Sequence, residues 1–101
     1  MRDKIIKILL SVGVTPDLSG FEKIVSAIEI KMQENLGMTK IYNQLATDTS
    51  YANVERQIRH AISKADRKSV ENLFGTEIPT DKEYFTNEQF IALCALKIKG
   101  V

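Results

Sequence analysis

Apolar residues along this chain recur three and four positions apart in successive blocks, the spacing that lines one face of a helix. In the first block Ile5, Ile6, Ile8, Leu9 and Val12 follow Asp3, which can cap a helix start, and Gly13 is placed to end it. Val14-Thr15-Pro16-Asp17-Leu18 then reads as a turn. The second block holds Phe21, Ile24, Val25, Ile28 and Met32. It opens on Ser19 and Glu22 at capping-box spacing and runs toward Gly37, which predicts the longest helix of the chain. Thr39 can cap a short third helix with Ile41, Tyr42, Leu45 and Ala46, ending near Ala46 or Thr47, and Asp48-Thr49-Ser50 breaks it.

A fourth helix is predicted from about Tyr51, with Val54, Ile58, Ala61, Ile62 and Ala65 on its buried stripe. At about 100° per residue, the opposite face presents Ala52, Arg56, Arg59, His60, Ser63 and Arg67, with Glu55 at its edge. A short helix over Val70, Leu73 and Phe74 should stop at Gly75. A loop containing Pro79 leads to Thr86, whose spacing to Gln89 opens a last helix with a second capping box. No stretch reads as a strand, though Thr76-Glu77-Ile78 could be extended. The predicted fold is all-α, a compact bundle of about six helices in one domain over residues 1–101, with a helix-turn-helix over about 39–66.

Composition adds that the chain should fold alone, since 44% hydrophobic residues among 101 can offset the entropy of ordering it. Cys94, the single cysteine, lies in the apolar run from Phe90 to Leu96 and reads as a small buried hydrophobe. It can form no internal disulfide, which suits a reducing cytoplasm, and with a single histidine it cannot build a Cys/His zinc site. The N-terminal apolar stretch is interrupted by Asp3 and Lys7 and has no small-residue cleavage site, so it does not read as an export signal. No uninterrupted apolar run approaches the roughly 20 residues that cross a bilayer, so a soluble, cytoplasmic protein is expected.

The net charge of +1 says little about partners, but its distribution says more. Residues 39–68 carry six bases against three acids, whereas residues 69–101 carry three against five. The positive surface is therefore central in the sequence, where a short helix, an abrupt turn and a second helix with a cationic outer face sketch a helix-turn-helix. Arginine can donate two parallel hydrogen bonds to guanine O6 and N7, and glutamate can accept from the cytosine amino group. Glu55, Arg56 and Arg59 thus form a plausible reader of a G·C-containing site. The plainer readings are a solvated face, and an ordinary i, i+4 ion pair between Glu55 and Arg59.

Val54-Glu55-Arg56-Gln57-Ile58-Arg59-His60-Ala61-Ile62 resembles the recognition helix of the sporulation-initiation response regulators, the stage-zero sporulation protein A family. Val12-Gly13-Val14 with Gly20-Phe21, Met38-Thr39-Lys40, Asn72-Leu73-Phe74-Gly75, Pro79, and Thr86-Asn87-Glu88-Gln89-Phe90-Ile91-Ala92 resemble the family's other segments in the same order. The resemblance implies a six-helix DNA-binding effector domain that reads short boxes upstream of promoters, often as tandem copies, and contacts RNA polymerase sigma factors. It puts base reading on Glu55, Arg56 and Arg59. Thr39 and Lys40 become candidates for phosphate contact, with a helix cap and a solvated face as their alternatives. His60 either touches phosphate or packs at the helix edge, the latter favoured by how often histidine is partly buried. Arg67 joins them as a backbone or supporting residue.

Departures from the family pattern are local. Asn53 stands where the family usually has an arginine, which changes one DNA contact. The turn from Ala46 to Val54 is about two residues shorter than the pattern, and the segment from Ala65 to Leu73, used toward polymerase, is contracted. Leu45 and Ala46 with Val54 and Ile58 are the apolar residues expected to brace the two helices. The receiver domain that precedes this module in the full regulator is not in the chain, leaving a fragment or a stand-alone protein. The competing expectation is a helical protein-interaction module on the same fold with little specific DNA binding. An enzyme is disfavoured, because Cys94, His60 and Asp66 have no motif spacing and no Gly-rich phosphate loop is present; neither a cofactor nor a metal is expected.

Overall fold

The apolar blocks become helices whose starts and stops are set by specific capping and packing contacts. A computed structural model describes residues 2–78 and 84–100. Its helices are α1 (Arg2–Ser11), α2 (Phe21–Glu34), α3 (Met38–Leu45), α4 (Tyr51–Ser63), α5 (Arg67–Phe74) and α6 (Asn87–Lys99). Among the described residues there is no strand, and Thr76–Ile78 is irregular. The Pro79 loop lies outside the described residues.

One core runs through all six helices, with Ile5, Leu9, Ile24, Ile28, Ile41, Ile58, Phe90 and Ile91 fully buried. Burial of such side chains away from water is the main favourable term, on the order of 2 kcal/mol each. The longest helix, α2, is the hub: α1, α3, α4 and α6 all pack on it. Helix α6 closes the other side, touching α1, α2, α4 and α5. Phe74 of α5 meets Phe85 and Phe90 edge-on, each ring centroid 5.7 Å away, and so seals the last helix to the segment before it. Cys94 is buried among these residues, as its apolar surroundings predict, and burial pushes its thiol up to about 12.

The helix starts depart from expectation in three places. Asp3 lies inside the first turn of α1 rather than capping it, where its charge still complements the positive helix end. Ser19 does not cap α2: the cap position is Gly20, which makes no side-chain bond, and Glu22 instead pairs with Arg2, which also bonds Glu29. The reason is a close approach to α4. A Cβ on residue 20 would sit 2.2 Å from the Gln57 carbonyl oxygen, so the helix begins where only glycine fits. Thr39 likewise falls within the first turn of α3, after Gly37 in extended conformation. Helix α2 ends earlier than predicted, at Asn35, whose left-handed backbone (φ 52°) returns its N–H to the Lys31 carbonyl.

Other boundaries match. Gly13 (φ +90°) and Gly75 (φ +69°) end α1 and α5 in the left-handed region. Thr86 and Gln89 form the complete reciprocal box that starts α6. Ser50 caps α4 by accepting from the Asn53 N–H at 3.1 Å. Helix α3 stops at Leu45 and α4 begins at Tyr51, close to the expected ends. Ala65 is buried but lies beyond the end of α4, and Arg67 is the first residue of α5 rather than part of the α4 outer face. The change of direction is anchored by Asp66, whose N–H donates to the Val12 carbonyl at 2.7 Å. Its carboxylate accepts from the Ser69 N–H and hydroxyl, capping α5 and holding its pKa below the usual value.

Candidate nucleic-acid interface

Helix α4 buries Val54, Ile58, Ala61 and Ile62 and turns the opposite side to solvent. That division follows from the helical period, and it exposes Ala52, Arg56, Arg59, His60 and Ser63 together. The Arg59 side chain is 64% exposed and Glu55 42%, and the two meet at 3.3 Å in an i, i+4 pair. In water such a pair contributes only a few tenths of a kcal/mol, so it orients Arg59 without locking it. Arg56 is exposed on the same face. His60 is exposed as well, contrary to the expectation that it packs at the helix edge. The neighbouring hydroxyl of Ser63 donates back to the His60 carbonyl.

The other predicted site residues lie on α3, on α5 and at the start of α4. Thr39 and Lys40 are exposed on the first turn of α3, with no side-chain cap at that helix start. Arg67 is exposed at the start of α5, 3.8 Å from Glu71. Asn53 is half-buried and committed locally: its side-chain amide donates to Thr49 Oγ1 at 2.6 Å while its backbone N–H reaches the Ser50 cap. It therefore stabilises the start of α4 instead of projecting from it.

Apolar packing and several long-range contacts hold α3 and α4 in place, and helix periodicity does not reveal the long-range ones. Met38, Ile41 and Tyr42 are the buried residues of α3, and Leu45 and Ala46, expected to brace α4, are half-buried and packed against the core. Tyr42 packs edge-on against Tyr51 with ring centroids 5.1 Å apart. At the turn, Lys23 of α2 donates to the Leu45 carbonyl at 3.2 Å and lies 3.4 Å from Asp48, satisfying the negative end of α3. At the other end Asn87 of α6 donates to both the Tyr42 hydroxyl (3.0 Å) and the Glu55 carbonyl (3.2 Å). An open cleft of about 780 Å³ lies there, lined by Tyr42, Glu55, Arg59, Phe85 and Asn87 among others. Burial is the main cause that raises the Tyr42 phenol above its ordinary pKa. Asn87 lay in a segment with a sequence signal of its own, the capping box beginning at Thr86, but its partners on α3 and α4 were not legible from it.

Among the described residues no group of His, Cys, Asp and Glu side chains is arranged to hold a metal ion. No helix there is long and apolar enough to cross a membrane.

Residues 5–98 match the family model described as the sporulation initiation factor Spo0A C terminal, which spans nearly the whole chain. No solved structure matches the chain. The six-helix architecture and this match together place the chain in the Spo0A C-terminal family of DNA-binding effector domains of sporulation and transcription regulators.

Proposed function

We propose that this domain binds duplex DNA with sequence preference, laying α4 in the major groove. Arg56 and Arg59 donate to guanine O6 and N7, and Glu55 accepts from a cytosine amino group. The observation that carries this reading is the exposure of Arg56 and Arg59 on the face of α4 opposite its buried stripe, with the half-buried Glu55 at its edge paired to Arg59. Separating the Glu55–Arg59 pair costs a few tenths of a kcal/mol, whereas a bidentate base contact is worth about 1–3 kcal/mol of discrimination. The pair is thus no obstacle to reading.

Thr39, Lys40, His60 and Arg67 serve as phosphate contacts or supports, and Asn53 supports the start of α4. Contact with an RNA polymerase sigma factor, and self-association on tandem sites, extend the reading on the strength of family membership. The test is selection of bound duplexes from a random pool at stated, near-physiological salt. A preferred sequence with G·C pairs is expected. Equal affinity for selected and random duplexes would favour a protein-interaction module instead, a reading supported by the low net charge of +1.

A further inference from the structure

We propose that Asn87, on α6 and outside the helix-turn-helix, is a positioning residue that sets the rotation of α4 for base reading. This rests on the proposed role of α4. A side-chain amide has two N–H donors, and here the Asn87 nitrogen reaches one acceptor on each helix of the motif. It donates to Tyr42 Oη of α3 at 3.0 Å and to the main-chain oxygen of Glu55 of α4 at 3.2 Å.

Three features make this bridge effective. The first is where it acts: the Glu55 carbonyl belongs to the peptide joining Glu55 to Arg56, the stretch of backbone that carries the proposed readers. The second is that both anchors are held. Thr86 and Gln89 cap each other immediately around Asn87, and Tyr42 is wedged by the Tyr51 ring. The third is direction. Apolar packing of Val54 and Ile58 sets how far α4 stands from the core but is non-directional, whereas a hydrogen bond weakens steeply when misaligned. Rotation of α4 about its axis would swing Arg56 and Arg59 around the groove and break the Asn87 bond.

The test uses Asn87→Ala and Asn87→Asp. The aspartate introduces a negative charge that is favourable at a helix start but presents only acceptors, so it supports α6 and cannot bridge. Affinity for the selected duplex and for a scrambled one is measured across salt concentrations. Both variants are expected to lose about tenfold of the preference for the selected duplex, as expected from loss of two hydrogen bonds. Affinity for the scrambled duplex and its salt dependence should stay within about twofold, because phosphate contacts do not require the rotational register. In free protein the Arg56 backbone amide resonance should shift in both variants, with those of α1 unmoved. A folded variant that keeps the parental preference, or an unmoved Arg56 resonance, overturns the positioning role. Absence of any preference in the parent refutes base reading by α4 itself, and the resonance readout separates that failure from this one.

Discussion

Gly20 and Gln57 meet backbone to backbone, so that a side chain at residue 20 would drive into α4. Its Cβ would fall 2.2 Å from the Gln57 carbonyl oxygen, 2.7 Å from the carbonyl carbon and 3.2 Å from the Ala61 Cβ. The obstacle is helix backbone, which cannot rotate away. Gly20→Ala should therefore destabilise the fold by about 1–3 kcal/mol, the usual range for overpacking, and shift α4. Denaturant unfolding would show the loss, and unchanged stability would show that α2 and α4 can separate freely.

Arg56→Ala and Arg59→Ala should each cost roughly 1–3 kcal/mol on the preferred duplex and relax base choice at one position. Lys40→Ala should weaken all duplexes alike and lower the salt dependence. Because all three side chains are exposed, thermal stability should hardly change. Loss of helicity in the arginine variants would assign them to structure.

Asp66 makes the junction between α4 and α5 sensitive to acid. The Ser69 hydroxyl and N–H hold its carboxyl below the ordinary value of 3.8 in the folded protein. A lowered folded-state pKa favours the fold above the unfolded-state value, and that advantage disappears as pH falls through the folded-state value. The melting temperature of Asp66→Ala should accordingly lie below that of the parent at neutral pH. The gap should narrow below about pH 4. A gap independent of pH would mean that the aspartate charge plays no part.

Cys94 is buried, with its thiol pushed up to about 12 by desolvation. The thiolate is the reactive form, so alkylation at pH 8 should be slow in native protein and fast in denaturant. Native and unfolded chains reacting at similar rates would show that α6 opens readily.

Helix number, order and buried faces were legible from the sequence because period and capping chemistry act within a few residues. Val54, Ile58, Ala61 and Ile62 could only share one stripe, and Thr86 with Gln89 needed no distant partner. The outward direction of Arg56 and Arg59 followed from the same period. What tertiary structure decided was every feature that depends on an element far along the chain. Gly20 rather than Ser19 stands at the start of α2, against Gln57 of α4, and Tyr42 is held by Tyr51 and Asn87. Arg67 left the α4 face because Asp66 is bonded to Val12, more than fifty residues earlier. Local spacing encodes which face a helix buries, but the angle and rotation at which two helices meet are set by directional bonds and close approaches between residues that become neighbours only on folding.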